Sequence, residues 1–497
     1  MRFSRSIGFT ALLALSVGCP KPVEPVSFDR SVQPEPLAKP SFTIPSAQSA
    51  TLSNGVEVLF VENHDLPFIW LNITLKTGGA TDPEGLKGLA SVTMDMLNEG
   101  AGDLDAMAFS DTIRRLGSSI STSGGTNSSA VSSRMLTRNV DATLDLVEAV
   151  LFTPRWDGKE WERIRKARKA NLKQSAEEPS AIARKVANKV MYGDSYNGRS
   201  TTEESLDAIT LEAMQSWHSE RVVAENALIL VAGDTTLDAI VEKLEARFGK
   251  WTAGEAAAPV EVATIQPEQT TLYLVDKPGA AQSVIQGRRF VDGDRRSEDY
   301  FALALGNAAM GGMFTSRINM NLREDKGYTY GARSFISNGM GPAMWGVSTS
   351  VKTATTIDSL KEIKRELEDP NGDRPLTDEE INYVRGSMIQ SFPAKFESPN
   401  YLVGQRSEMW VYDLPETWLA DYIANIEAPT PDEARQALAK HLDPAAINMV
   451  VVGDLATFTP GIYCLGWATA HLDREGNPIE APEDAGCPES APEQAAD

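Results

Sequence analysis

The sequence predicts an α+β protein made of two homologous domains, each a mostly antiparallel sheet with helices packed on one face. Both halves interleave the alternating apolar pattern of strands with long helical patterns. The elements follow the same order in each half, and each half closes on a buried strand that ends in Val-x-Gly-Asp, at residues 231–234 and 451–454. The repeated unit spans roughly half of the chain, which indicates a duplicated domain rather than a solenoid unit. The mixture of strands and helices is typical of α+β domains.

The first domain is predicted at residues 48–251. Its first strand includes an Asn-Gly pair, which favours a tight turn at Asn54 and Gly55. The predicted strands occupy residues 52–60, 68–76, 118–135 and 227–234. The predicted helices occupy residues 87–98, 106–116, 140–151, 159–176, 180–192 and 237–248.

The second domain is predicted at residues 270–472. It follows a linker at residues 252–269 that is rich in Ala, Glu and Pro. The predicted strands occupy residues 271–276, 283–289, 345–352 and 447–454. The predicted helices occupy residues 299–310, 317–323, 357–366 and 378–390.

The N-terminus has the features of an export signal. Arg2 and Arg5 precede an apolar run at residues 7–17, which is too short to span a membrane. The run ends near Cys19 in a sequence similar to a bacterial lipobox, although Ser16 stands where Leu is usual. We expect residues 1–19 to be a signal that ends in a lipidated Cys19, and an ordinary cleaved signal is the alternative. The Pro-rich residues 20–47 then form a tether, and the protein is an envelope lipoprotein that faces the periplasm or is otherwise exported.

Two cysteines remain if Cys19 is lipidated. An even pair in an oxidising compartment indicates one disulfide, between Cys464 and Cys487. Residues 473–497 are acidic and rich in Pro, and we expect them to form a disordered tail that this disulfide fastens to the body.

The composition excludes several functions. Lys and Arg number 47 against 69 Asp and Glu, a net charge of −22, which disfavours general binding of nucleic acid. No two of the four histidines lie close enough in sequence to form a local ligand pair, which argues against a zinc site of that kind. The chain also lacks a P-loop, a G-x-S-x-G motif and a dinucleotide-binding fingerprint.

Residues 85–101 read Gly-Leu-Lys-Gly-Leu-Ala-Ser-Val-Thr-Met-Asp-Met-Leu-Asn-Glu-Gly-Ala. This stretch resembles the zinc-binding segment of the insulinase/pitrilysin family of peptidases. In that family Gly-Leu-Ala leads into H-x-x-E-H on a helix, where the two His bind zinc and the Glu activates a water molecule. The resemblance covers about residues 48–460 and implies the family's fold.

The catalytic residues of that family are absent here. Ser91 and Asp95 hold the His positions and Met94 the Glu position. The helix that carries the family's third ligand corresponds to residues 159–176, and our register places Asn171 there. Six cations on that helix disfavour a divalent metal: Arg163, Arg165, Lys166, Arg168, Lys169 and Lys173. We therefore expect no metal, no cofactor and no catalytic residue in this chain, and residues 88–98 to form a core-facing helix.

A second family element is retained in the other half. Residues 310–331 resemble the family's L-R-x(n)-G-x-x-Y segment, and Arg323 and Tyr330 match its Arg and Tyr, which reach a substrate bound at the zinc of the other half. The alternative is an Arg323 ion pair with an adjacent acid and a packed Tyr330. Gly311 and Gly312 either let a peptide approach or form a turn.

The resemblance implies a non-catalytic subunit of a two-chain zinc peptidase. Family members of this size occur as pairs, in which one chain has the zinc motif and the other the Arg/Tyr segment. The zinc would then belong to the partner, and the pair would act on unfolded peptides in the cell envelope. The alternative is a structural or scaffold protein derived from such a peptidase.

Overall fold

The computed structural model describes residues 31–32, 42–258, 260–482 and 487. The predictions for the signal, for Cys19 and for most of the tether and tail concern residues outside these ranges. The chain divides into two compact units, residues 1–41 and 42–497, and the second contains both predicted domains. Within the described residues, no helix is both long and apolar enough to cross a membrane.

The first half folds around a six-stranded sheet in the order β1-β2-β8-β3-β7-β6. All neighbouring strands are antiparallel except β2 and β8, which run parallel. The strands of this half are β1 (Gln48–Thr51), β2 (Glu57–Glu62), β3 (Phe68–Leu75), β4 (Gly100–Ala101), β5 (Leu104–Asp105), β6 (Ser119–Gly124), β7 (Ser129–Leu136) and β8 (Ala227–Gly233). β4 and β5 pair with each other in a separate two-stranded sheet. The helices of this half are α1 (Leu89–Leu97), α2 (Ala106–Arg115), α3 (Val140–Phe152), α4 (Gly158–Ser175), α5 (Pro179–Tyr192), α6 (Glu203–Ala208), α7 (Leu211–Arg221) and α8 (Leu237–Phe248).

The second half repeats this topology in a seven-stranded sheet of order β11-β12-β10-β13-β9-β14-β15. Its strands are β9 (Thr271–Asp276), β10 (Gln282–Phe290), β11 (Thr329–Ser337), β12 (Met344–Lys352), β13 (Asn448–Gly453), β14 (Ala468–Leu472) and β15 (Pro478–Ile479). Its helices are α9 (Tyr300–Asn307), α10 (Arg317–Asn319), α11 (Thr356–Glu368), α12 (Asp378–Ser391), α13 (Pro399–Val411), α14 (Tyr422–Glu427), α15 (Pro431–His441) and α16 (Leu455–Ile462). Two π-helices, Ala308–Gly312 and Met320–Asp325, follow α9 and α10.

The closing strands of the two halves occupy equivalent places. β8 lies between β2 and β3, and β13 lies between β9 and β10, so each Val-x-Gly-Asp strand is central in its sheet. Every residue of both strands is buried, which agrees with their unbroken apolar sequences. The predicted fold class, two homologous α+β domains, is confirmed.

Each sheet is also covered by a helix from the opposite half, which the sequence patterns did not predict. The outer face of the first sheet, formed by Val61, Leu228 and Leu230, packs against Leu402 and Val403 of α13. The outer face of the second sheet packs against α5 of the first half in the same way. That contact joins Ile182, Ala183, Val186 and Ala187 to Val275, Val284, Val450, Val452 and Leu472. The two halves are therefore interlocked rather than merely adjacent.

The C-terminal residues extend the second sheet. β14 pairs in parallel with β9, and β15 pairs with β14, so residues 473–479, which we assigned to the tail, belong to a hairpin. Lys185 and Lys189 of α5 bond to Glu475 and Asn477 at its turn. A disulfide joins Cys464 to Cys487. The hairpin thus lies against the helix that the first half contributes to this sheet.

Candidate functional site

The start of α1 is held by a buried carboxylate. Asp82 accepts hydrogen bonds of 2.9 Å from the backbone N–H groups of Gly88 and Ala90. Gly88 has a φ of 102°, a left-handed conformation that suits glycine. Burial raises the pKa of Asp82 above its usual range, and the backbone hydrogen bonds oppose that rise. Asp82 therefore holds the N-terminus of the helix that carries the degenerate zinc motif in place.

The Glu position of the motif has become part of the core. The Met94 side chain is fully buried and belongs to the core cluster of the first half, together with Leu89, Val92 and Leu97. A side chain in that place meets apolar neighbours and no water. The expectation of a core-facing helix at residues 88–98 agrees with this burial.

The two His positions face α4 and are bridged by an arginine. The guanidinium of Arg168 donates from Nε to Asp95 Oδ2 at 3.1 Å and from Nη2 to Ser91 Oγ at 3.0 Å, and Nη2 also contacts the Asp95 carboxylate. The Arg168 and Asp95 side chains are 38% and 33% exposed. A cation of the protein itself therefore occupies the contact between the two helices.

The residues at this place do not fit a zinc ion. Zinc sites in peptidases use three protein ligands of the His or carboxylate type, and the only such group here is Asp95, which is already paired with Arg168. The structure brings Arg168, rather than Asn171, to Ser91 and Asp95. Asn171 lies about one helical turn further along α4 and is exposed. In the described part of the chain, no group of three or more His, Cys, Asp or Glu is arranged to hold a metal.

The charge of the six cations on α4 is largely offset by acidic residues, contrary to our expectation that all six act on the motif. Four of them form ion pairs that offset their charge, because acidic residues of neighbouring turns and helices lie opposite them. These pairs are Arg163 with Glu99 and Glu160, Arg165 with Glu162, Lys169 with Asp207, and Lys173 with Glu203. The cation that matters at the motif is Arg168 alone. Asp95 is one-third exposed, so a nearby cation stabilises its charge without being required, and the sequence does not identify Arg168 as that cation.

The Arg/Tyr segment lies at the edge of the second sheet. The guanidinium of Arg323 stacks over the ring of Phe314, with the carbon Cζ 4.5 Å from the ring centroid, and Nε lies 3.2 Å from Glu324 Oε1. The Tyr330 side chain is 91% exposed. Thus the ion pair of the alternative interpretation exists, but the packed tyrosine does not.

A bulge in the edge strand directs Tyr330 outward. β11 pairs with β12, and the register between them shifts between Thr329 and Ala332. Thr329 Oγ1 accepts from the Gly331 N–H at 3.0 Å and lies 2.7 Å from the backbone oxygen of Ser350, to which it donates. Bulges of this kind commonly turn a side chain away from the sheet. Tyr330 is consequently held on an ordered backbone although its ring touches little.

A buried asparagine connects the loop, the helix and the strand of this segment. Asn319 is 2% exposed, donates to the Phe314 carbonyl at 2.6 Å and accepts from the Ala332 N–H at 3.1 Å. A Cβ at Gly311 would overlap the Ser334 side chain, so this glycine serves the close packing of a π-helix on β11. No described hydrogen bond or ion pair joins Arg323 or Tyr330 to the Arg168 contact of the first half.

Comparisons with known proteins agree with this geometry. A family model described as the peptidase M16 inactive domain matches residues 208–388. An uncharacterized zinc protease of Streptomyces coelicolor is 22% identical over 86% of this chain and 89% of its own length. The Helicobacter pylori protein called non-peptidase homolog YmxG is 20% identical over 80% of this chain and 92% of its own. The chain is similar to proteins of the M16 peptidase family over most of its length.

Its fold is shared with solved members of that family. The peptidase M16 inactive domain of Pseudomonas fluorescens superimposes with a TM-score of 0.76 and 23% identity, covering 82% of this chain and 98% of that one. The resemblance to the insulinase/pitrilysin family is confirmed. The descriptions of these matches, with Ser91, Met94 and Asp95 in place of the motif and Arg168 bridging Ser91 and Asp95, support a catalytically dead relative of M16 peptidases.

Proposed function

We propose that this M16 protein is the non-catalytic subunit of a two-chain zinc peptidase and presents Arg323 and Tyr330 to peptides in the active site of a zinc-bearing partner. The observation that carries the proposal is the exposed Tyr330, seven residues after Arg323, on a backbone ordered by the bulge and by Asn319. An ordered aromatic side chain that is almost wholly exposed is typical of a surface that contacts another molecule.

The surroundings of the pair support the same function. Phe314, Met320, Tyr330 and Phe335 are all large side chains with more than a third of their surface exposed, and all lie within residues 314–335. Aromatic residues, Met and Arg are enriched in the cores of protein interfaces. A guanidinium and a phenol are suitable donors to peptide carbonyl groups and to the negative oxygen that develops during peptide hydrolysis.

The disulfide supports an oxidising location for this function. Disulfides persist in the periplasm and outside the cell and are rare in the cytosol. Together with the predicted signal and Cys19, the Cys464–Cys487 bond supports action in the cell envelope on unfolded peptides.

The second candidate function is a scaffold derived from an M16 peptidase, with no role in substrate binding. One observation favours it, namely the ion pair in which Glu324 already engages Arg323. Under this alternative, Arg323 and Tyr330 would contribute to assembly or to local structure only.

The first prediction tests the two functions against each other. In the complex with its zinc-bearing partner, Arg323→Ala or Tyr330→Phe should lower peptide turnover by about tenfold to a thousandfold, because each removes a donor to the reacting carbonyl. Complex formation, measured by co-purification, should be unchanged. Tyr383 is also an exposed tyrosine, 58% exposed on α12, so Tyr383→Phe is the matched control and should retain full turnover. Unaltered peptide turnover in both the Arg323→Ala and the Tyr330→Phe proteins would contradict the substrate-binding function and favour the scaffold function.

The same preparation tests the absence of catalysis in this chain. Purified without its partner, the protein should contain no stoichiometric zinc by metal analysis and cleave no peptide. One tightly bound equivalent of zinc would contradict the interpretation of Ser91, Met94, Asp95 and Arg168.

A further inference from the structure

The first half contains a cleft of about 1470 Å³ that the peptidase comparison does not explain. It lies between the end of α4, the outer side of α5, residues 193–208 and the turn of the C-terminal hairpin. Hydroxyl and amide groups line it, from Ser175, Asn188, Ser200 and Thr201. Such groups suit the backbone N–H and C=O of a peptide.

Lys87 stands at one wall of this cleft. Its Nζ donates to the backbone oxygen of Tyr196 at 2.7 Å and lies 2.8 Å from the centroid of the Tyr196 ring. No carboxylate of the described residues lies within ion-pair distance of Nζ. Asp82 is near enough to act on Lys87 through space, but its oxygens bind the start of α1. The lysine is therefore a partly buried cation without an acidic partner.

The acids of the cleft are mostly neutralised by other cations. Glu84, Glu203, Asp207 and Glu475 pair with Arg199, Lys173, Lys169 and Lys185, respectively. Glu204 accepts hydrogen bonds at the start of α6, and Asp194 is the one lining acid for which the described residues show no polar partner. On the cationic side, Lys87 and Arg184 have no described acidic partner, and Lys189 bonds only to the neutral Asn477. Three lining cations, Lys87, Arg184 and Lys189, thus have no described acidic partner, against two lining acids, Asp194 and Glu204, with no described cationic partner.

We propose that this cleft is a binding site for an organic carboxylate, with the Lys87 ammonium as the principal contact and the C-terminal carboxylate of a short peptide as the ligand. The size of the cleft exceeds that of sites for small acids and fits several residues of extended chain. Arg184 of α5, which also lines the cleft, adds a second positive charge. The site lies wholly in this chain and does not depend on a zinc-bearing partner.

The ionisation of Lys87 agrees with this role. Burial lowers the pKa of Lys87 to about 7, the Asp82 carboxyl opposes that change and Arg199 adds to it. Tyr196, which faces the ammonium, stays neutral because burial raises its pKa. A bound carboxylate would favour the charged lysine, so binding should take up protons near neutral pH. Affinity should then fall about thirtyfold between pH 6 and pH 8.5 as the free lysine loses its proton.

The test uses the full chain and two forms of one probe, an N-terminally fluorescein-labelled heptapeptide of Ala, Gly and Ser with a free or an amidated C-terminus. Fluorescence anisotropy should show at least tenfold tighter binding of the free acid. Lys87→Gln should reduce that binding to the level of the amide, whereas Lys87→Arg, which keeps the charge, should retain most of it. Lys243→Gln is the control, because Lys243 pairs with Asp141 far from the cleft. Thermal melting of each variant establishes that it is folded.

Equal affinity for acid and amide, or wild-type binding by the Lys87→Gln protein, would overturn the proposal. Acetate that displaced the peptide at concentrations equal to the Kd of the peptide would contradict a peptide ligand. Arg184→Gln should weaken binding of the peptide with the free C-terminus severalfold. This variant remains informative if the Lys87→Gln protein fails to fold. These results do not involve peptide cleavage, so they are independent of the outcome for Arg323 and Tyr330.

Discussion

Arg168 shows how a metal site can be replaced by a side chain. A zinc ion in a peptidase joins two helices through its ligands, and here the guanidinium joins the same helices through Ser91 and Asp95. The charge remains positive and the two helices remain connected, but nothing at this place can bind and activate water. A single arginine therefore maintains the packing of α1 on α4 while the chemistry is lost.

The second prediction concerns that contact. Arg168→Ala should lower the free energy of unfolding by about 1 kcal/mol, since hydrogen bonds to a charged group are lost but both side chains are partly hydrated. Chemical denaturation provides the measurement. Lys166→Ala, on the same helix, is the control and should change stability by less than about 0.5 kcal/mol. If Arg168→Ala lowered the free energy of unfolding by the same amount in a protein that also carries Asp95→Ala, Arg168 and Asp95 would not be coupled.

The third prediction concerns His64, which lies between two carboxylates. Its ring nitrogens are 2.7 Å from Asp234 Oδ1 and 2.9 Å from Glu62 Oε1, and these hydrogen bonds raise the pKa of His64 above 6.5 and lower the pKa values of both acids. Protonated His64 stabilises the folded protein fully at pH values below the pKa that this histidine has in the unfolded chain. The stabilisation is lost as the pH rises through the higher pKa that it has in the folded protein. The contribution of the acids is lost at low pH.

His64→Gln should consequently lower the melting temperature most near pH 5 to 6 and least above pH 8. The matched control is His218→Gln, because burial lowers the pKa of His218 and so gives the opposite dependence on pH. A difference in melting temperature between the wild-type and His64→Gln proteins that did not vary with pH would contradict the prediction.

At the scale of elements, the sequence could predict what depends on local periodicity. The two closing strands and most of the long helices were visible as apolar patterns, and the fold class followed from them, whereas α7, α13 and α15 were not predicted. β11 was not predicted, because the bulge and exposed Tyr330, Arg333 and Phe335 interrupt its alternation. The cover of each sheet by α5 or α13 was also missed, because periodicity identifies an apolar face but not what packs on it.

The site could be predicted only in part for the same reason. The motif and the Arg/Tyr pair were found by local resemblance, and their exposure and environment were not. Arg168 is 73 positions from Asp95, and Phe314 is stacked on Arg323 across a turn, so neither contact has a short-range signal. Lys87 resembles any surface lysine in sequence, and only the fold places Tyr196 over it.

The fourth prediction concerns the helix that crosses from the second half to the first. Leu402→Ala in α13 should lower the free energy of unfolding by about 2 to 5 kcal/mol, because it leaves a cavity against Leu228 and Leu230. Leu66→Ala is the control, because Leu66 is 54% exposed. Far-UV circular dichroism and tryptophan fluorescence should report one common transition, and two separate transitions would show that the halves unfold independently.

At the scale of the whole molecule, the fifth prediction concerns attachment to the membrane. We expect the mature protein to be held by lipid on Cys19, so Cys19→Ser should move it from the membrane fraction to the soluble fraction. A Cys487→Ser variant, which removes a different cysteine, should remain with the membrane. Wild-type protein found in the soluble fraction would contradict the lipid anchor and leave an ordinary cleaved signal.

The crossing helices also determine when the chain can complete its fold. A polypeptide becomes available from its N-terminus, and β8 of the first half ends at Gly233, whereas α13, which covers it, begins only at Pro399. Until that helix has followed, the apolar outer face of the first sheet is covered only in part, by Ile44 and Ala47 among the earlier described residues. The first half therefore cannot finish folding as a separate early domain, and the nascent protein needs protection of that face for as long as the second half is incomplete.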